Sequence, residues 1–285
     1  MFHESNVGYI FASLGIEPKE IKKRSFFKKL FKKSAKNSHL PYLNSVNDFY
    51  KCSETFITSI SKYSDNKCLS FHLYLEDTHE DFIKSIKEEK KDKYYIFPFF
   101  PQTASQLSLI AKFFSDNLES EKTDNFFWVK PYHLNGYFIR SIQKNINDIF
   151  KKNKLDQKET MFLYIANNDY ISPLYLIECQ TTCQKIIKAY QFVDGMLYYY
   201  PSNLQVLNDL EKNLRKNIII IPISTIITDI ELSKNLENLK NFLESQKKRV
   251  FYSKPLNESE FFIRSIVDII EEKNFISNNM LLTQI

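Results

Sequence analysis

Glycine is scarce in this chain: four in 285 residues, at Gly8, Gly15, Gly136 and Gly195. Phosphate-cradling loops need glycines clustered at fixed spacing, so these isolated ones exclude a P-loop or a Rossmann dinucleotide fingerprint. The four cysteines, Cys52, Cys68, Cys179 and Cys183, form no CxxC pair. Nothing at the N-terminus resembles a signal peptide, and both features predict reduced thiols in a cytoplasmic protein. No run approaches the ~18 continuous apolar residues of a membrane span. The formal net charge of +5 is too modest to announce a nucleic-acid binder, so no nucleic-acid partner is expected. Cys179 and Cys183, four apart, would share a helical face. They read either as metal ligands or as two small buried residues.

What is present is a globular chain, 43% hydrophobic and 15% aromatic, long enough for about two lobes. Its heavy use of Lys, Asn, Ile, Phe and Tyr resembles compositional drift, which limits what any single lysine means. One segment, "IKKRSFFKKLFKKSAK" (21–36), places Phe26, Phe27, Leu30 and Phe31 on one helical face and lysines on the other. It reads as an ordinary surface or lid helix, or as a basic amphipathic helix making peripheral membrane contact.

Short β-rich runs at 7–14, 67–75, 93–100, 160–167 and 217–227 alternate with amphipathic helical patterns at 46–63, 81–91, 106–118, 138–150, 177–190, 204–214, 232–247 and 260–272. Helix starts are signalled at Thr78 with Asp81 and at Asn257 with Glu260. Repeated βα units predict an α/β fold with mostly parallel sheets flanked by helices. The polar stretch "KKNKLDQK" (151–158) separates two similar halves. The expectation is therefore two doubly wound lobes, 1–150 and 151–285, with a cleft between them where ligands sit beyond the carboxyl ends of the strands. The tail 271–285 carries no recognisable motif.

The stretch "YIFPFFPQTASQ" (95–106) sets two prolines at the end of an aromatic strand. Proline fixes φ and cannot extend a ladder, so Pro98 and Pro101 stop pairing and hold a rigid loop. This stretch is similar to the "LPLYPQYS" signature of ferrochelatases, with Pro98, Pro101, Gln102 and Ser105 matching. Further segments follow in the family's order. "FASLGIEP" resembles the family's "NLGTP", keeping Leu14 and Gly15, and "FHLYLED" resembles "MRYGNP" without its arginine and glycine. "FFWVKPYHLNGYFIRSI" resembles the tryptophan-to-"PxYI" stretch. "NIIIIPISTIITDIELSKNLE" is similar to "VVVPIGFVSDHIETLYEID", and "RVFYSKPLNESEFFI" to the closing segment. The resemblance implies the ferrochelatase fold and a porphyrin site that includes Leu14, Pro98, Pro101, Gln102 and Ser105. It implies no permanently bound cofactor, with porphyrin and Fe2+ as ligands. No cysteine cluster follows Cys183, so no iron–sulfur centre is expected.

The family's proposed centre pairs a histidine ("FSAHSLP") with a glutamate ("SDHIE"). Histidine suits that work because its neutral form accepts protons and binds metals near pH 7. Here "LYIANNDYISP" places Asn167 at the histidine's position, and an amide is neither a base nor a good ligand for ferrous iron. On the acidic side Asp229 is kept, Ile230 replaces a second histidine, and Glu231 takes the glutamate's place if one residue is deleted. Without that gap the position is Leu232. The family's porphyrin-lining "QSRxG" segment has no counterpart between 186 and 201. Asn167 and Glu231 are thus the degenerate catalytic pair, with Glu231 and Asp229 as metal candidates. His72, His79 and His133 are possible relocated bases or hydrogen-bonded structural residues, and Tyr198, Tyr199 and Tyr200 are porphyrin-stacking or strand residues.

Three functions follow from the resemblance. One is a tetrapyrrole-binding, ferrochelatase-like protein of haem-biosynthesis type with Fe2+ insertion impaired or lost. The others are an active ferrochelatase using a relocated base, and a non-catalytic interaction protein that keeps only the fold.

Overall fold

The computed structural model describes residues 6–14, 46–89, 91–167, 172–200, 215–227 and 230–283. The first half contributes β1 (Val7–Ser13), α1 (Val46–Ile60), β2 (Lys67–His72), α2 (His79–Glu88), β3 (Lys93–Pro98), α3 (Leu107–Asn117), the single turn α4 (Ser120–Thr123), β4 (Phe126–Val129) and α5 (Gly136–Asn153). The second contributes β5 (Thr160–Asn167), α6 (Pro173–Ile187), β6 (Asp194–Tyr200), β7 (Asn217–Pro222), α7 (Ile230–Ser245), β8 (Arg249–Tyr252), α8 (Glu260–Glu271), β9 (Phe275–Ser277) and α9 (Asn278–Leu282). The candidate helices at 21–36 and 204–214 lie outside the described residues.

The strands form two sheets, ordered β2-β1-β3-β4-β9 and β6-β5-β7-β8. Every pairing is parallel except β4 with β9. Without β9 the order is the same in both sheets, so the expected pair of similar doubly wound lobes is present. In each the order reverses at the first strand, β1 or β5, which defines the switch point where such sheets bind ligands.

β1 and β5 are buried along their whole length, as strands covered by helices on both faces must be. Alternation sorts the second sheet's side chains into two cores. Phe162, Tyr164, Ile219 and Ile221 join one apolar cluster continuous with the first lobe, while Met161, Leu163, Ile165, Ile218 and Ile220 pack under Leu232, Leu236, Leu239 and Leu243 of α7. Gly8 is required by close approach: a Cβ there would lie 2.6 Å from the Tyr94 ring.

Several sequence expectations need correction. Thr78 does not cap α2; its hydroxyl donates to the Leu75 carbonyl instead. The cap of α8 is Ser259, whose hydroxyl accepts from Phe262 N, while Asn257 lies in the preceding 3-10 turn. β7 stops at Pro222 rather than 227, because a proline nitrogen cannot donate to the ladder. The short strands β4, β8 and β9 were beyond periodicity, which does not resolve runs of three or four residues, and the seven-residue β6 was not assigned as a strand. Tyr198, Tyr199 and Tyr200 are β6 residues; Tyr198 and Tyr200 pack in the second core.

The polar stretch 151–158 falls between the two sheets, but the end of the 151–285 half returns to the first lobe. α8 packs against α1 and α5, and α9 against α3. β9 covers the β4 edge with Phe127 opposite Ser277 and Val129 opposite Phe275. An edge strand otherwise exposes unpaired backbone groups. Asn278 locks this return, accepting from Trp128 Nε1 at 2.9 Å and donating to the Ala111 carbonyl and to Ser115 Oγ. Because Asn278 is fully buried, Asn278→Leu strands the indole N–H and is expected to destabilise the fold by about 2–3 kcal/mol, read as a lowered urea midpoint at unchanged m-value.

Candidate functional site

The carboxyl ends of the two sheets meet through the loop that follows β3. Its prolines have lost their N–H groups but keep strong carbonyl acceptors. Pro98 O accepts from the Tyr132 hydroxyl at 2.9 Å, and Pro101 O accepts from Tyr132 N and His133 N. The loop then reaches the second lobe. Phe99 O accepts from Ile226 N at 3.2 Å, and Gln102 Nε2 donates to Ile223 O at 2.9 Å and to Thr182 Oγ1 at 3.5 Å. Thr103 donates twice to Glu178 of α6, from its backbone N at 2.6 Å and its hydroxyl at 2.9 Å. Of the five residues matched to a porphyrin site, Leu14, Pro98, Pro101 and Gln102 are buried and Ser105 is exposed.

Asn167 ends β5 at the second lobe's switch point, about 5% exposed. Its backbone N–H donates to the Tyr175 hydroxyl and to Ser224 Oγ, each at 3.1 Å. Tyr175 is fixed in turn by the start of α6, where Ser172 caps the helix and Pro173 occupies the first turn. Burial raises the Tyr175 phenol far above its ordinary value, so it stays protonated. Asp229 lies outside the described residues, as does the side chain of Glu231, whose backbone opens α7. Leu232, the ungapped alternative, is buried in the second core.

The three described histidines differ sharply. His79 donates from Nε2 to the His72 carbonyl and packs between Phe71 and Phe113. His72 is buried with both ring nitrogens satisfied, Nδ1 by Ser13 Oγ at 2.6 Å and Nε2 by Ser53 Oγ at 3.0 Å. His133 sits at the junction with Nδ1 4.0 Å from Glu178 Oε1 and without a hydrogen-bond partner. Burial lowers its pKa and the Glu178 carboxylate opposes that shift. Cys179 and Cys183 are packing residues. Burial pushes the Cys179 thiol up to about 12 and raises that of Cys183 as well, which disfavours the thiolate that metal binding needs. Among the described residues no three His, Cys, Asp or Glu side chains gather as metal ligands.

Glu178 and Thr103 were not singled out from the sequence. The available signal was a lone carboxylate at the centre of an otherwise apolar or small helix face, Tyr175, Cys179, Thr182 and Ile186, all buried.

A groove of about 1240 Å³ opens between α5, α7, β8 and the start of α8. Of its five lining cations, Lys144 pairs with Asp148, Lys240 with Glu244 and Arg264 with Glu260.

This two-lobed arrangement is the fold of the tetrapyrrole chelatases. It is similar to SirB from Bacillus subtilis, solved with Fe3+, at a TM-score of 0.59 and 11% identity, covering 94% of this chain and 96% of that one. It is also similar to a multi-domain protein from Deinococcus radiodurans described as structurally similar to chelatases, at a TM-score of 0.61 and 9% identity over 96% of this chain and 56% of that one. The chain belongs to the ferrochelatase family, whose pattern matches residues 58–274. Curated ferrochelatases are similar: that of Chlamydia pneumoniae is 22% identical over 255 residues, covering 82% of this chain and 77% of the relative. That of Chlamydia abortus is 22% identical over 263 residues, covering 85% and 81%.

Burial, with His79 nearby, pulls the His72 pKa from 6.5 down to about 4. The unfolded chain takes up a proton near pH 6.5 that the folded chain refuses until about pH 4. Stability is therefore lost as pH falls through that window. The His72 contribution amounts to about 3 kcal/mol between pH 7 and pH 4. Urea midpoints measured across this range should fall more steeply for the wild type than for His72→Asn; parallel curves would remove His72 as the source.

Proposed function

We propose that this chain binds a tetrapyrrole in the cleft at the carboxyl ends of its sheets, and that its capacity to insert Fe2+ is impaired or lost. Asn167 carries the reading. Metal insertion must remove two pyrrole protons from the macrocycle and needs a group that can accept a proton or pass on a metal. Asn167 stands at the end of β5, where the family's histidine is expected, and its amide does neither at physiological pH. Tyr175 and Ser224 pin the Asn167 backbone N–H at the end of β5.

Glu231 at the start of α7, with Asp229 before it, supplies the acidic side of the same site. Leu14, Pro98, Pro101, Gln102 and Ser105 contribute to the porphyrin-binding end. Gln102 acts there through the loop it anchors, since its amide nitrogen is engaged across the lobes. Peripheral membrane contact through 21–36 belongs to the same proposal, because an apolar macrocycle partitions to membrane surfaces. No described helix is long and apolar enough to cross a membrane.

Anaerobic incubation with protoporphyrin or coproporphyrin and Fe2+ or Zn2+, followed by absorbance, tests this directly. A shifted Soret band without metalloporphyrin is the expected result. Protein-dependent metalloporphyrin formation would overturn the loss of chemistry and point to a relocated base, whereas unchanged spectra would leave only the fold. Asn167→His is expected to raise insertion above the wild-type background if the rest of the cleft is competent.

A further inference from the structure

We infer that the groove beside β8 docks an acidic extended segment of a partner protein, which pairs with the open edge of the second sheet as β9 pairs with β4 in the first. The inference goes beyond the tetrapyrrole reading and uses none of the residues assigned to it.

Without β9 the two sheets have the same strand order, which places β8 where β4 stands in the first. β4 is covered by only three residues, Phe275–Ser277, paired with Phe127, Trp128 and Val129. No described strand covers β8 in the same way. The parallel register with β7 turns the Arg249 and Ser253 N–H groups inward, where they donate to Lys216 O and Ile220 O, each at 2.9 Å. Alternation then directs the Val250 N–H and C=O outward, and neither has a hydrogen-bond partner among the described residues. Unpaired edge groups of this kind are a template for another strand.

The groove of about 1240 Å³ lies against this edge, with every residue from Val250 to Ser253 lining it. It exceeds the ~300–1,000 Å³ of small-molecule sites, so its size fits a stretch of polypeptide. Ile149 of α5, Leu236 of α7 and Phe261 of α8 also line it, giving apolar contacts for the alternate side chains of an added strand. Charge selects the occupant. Once the three ion pairs are set aside, Lys152 and Lys254 remain without an ion partner among the described residues, against Glu258 on the acidic side. The α5 wall is more one-sided still, since Arg140, Lys144, Lys151 and Lys152 stand against the single acid Asp148. An acidic segment is attracted to such a wall and a basic one repelled. A second copy of this chain suits it poorly, because the chain itself carries a formal charge of +5 and its own last strand is committed to β4.

The test uses the full chain and a fluorescein-labelled peptide of alternating Glu and Val, with a Lys and Val peptide of the same length as control, followed by fluorescence anisotropy. The acidic peptide is expected to bind saturably, more weakly as salt is added, and at least about 10-fold more tightly than the basic one. Reversing both free cations, Lys152→Glu with Lys254→Glu, should weaken it at least about 10-fold. Val250→Pro removes only the outward N–H, at an edge position where proline is tolerated, and should weaken binding about 5-fold, the worth of one hydrogen bond, at an unchanged urea midpoint. Slowed amide exchange at Val250 in the complex reports strand addition in the wild-type fold, whatever the stability of the variants. Equal binding of the two peptides, binding undiminished by both sets of substitutions, or no saturation at millimolar peptide would overturn the site. So would a dimer of the chain alone that Val250→Pro dissociates. Porphyrin spectra decide the tetrapyrrole reading separately, so the two can fail independently.

Discussion

The structure depends on satisfying the backbone of one buried loop. Residues 99–106 lie between two sheets, where an unpaired backbone polar group costs about as much as a lost hydrogen bond. Pro98 and Pro101 remove two donors from that loop outright and leave carbonyls that Tyr132 and His133 fill from the first lobe. Phe99 N donates to Ala12 O in the first lobe, while Phe99 O and Thr103 N are met from the second by Ile226 N and Glu178. Because these partners come from both lobes, the loop cannot be rebuilt locally, and the lobes are fixed relative to each other where their switch points meet.

That rigidity shapes the chemistry available. A carboxylate is buried at Glu178 because Thr103 offers it two donors, and a histidine is brought to its side by the same loop's hold on residues 132 and 133. At β5 the backbone of Asn167 is held equally firmly, by the Tyr175 hydroxyl and Ser224 Oγ.

The two lobes share a strand order but not an edge. In the first, β9 returns from the C-terminus to cover β4, sealed by the Trp128–Asn278 pair. In the second, β8 ends the sheet among the described residues and borders the long groove between α5 and α7. A repeated topology has therefore been finished in two ways. The end of the chain serves the first lobe rather than the half from which it emerges.

Local pattern determined a good deal. The alternation of β-rich runs with 3.6-residue periodicity was enough for the βα order and the parallel sheets. The proline-braced loop after "YYIFP" and the asparagine ending β5 could be read directly, since each depends on the character of a few consecutive residues. The covering of β4 by β9 and the pairing of Thr103 with Glu178 could not. These were decided by contacts between segments as much as 150 residues apart, and no local period records which distant partner will complete a buried hydrogen bond. Sequence fixes what each segment can donate, accept or bury. Which of those capacities is used depends on what the folded chain places opposite it.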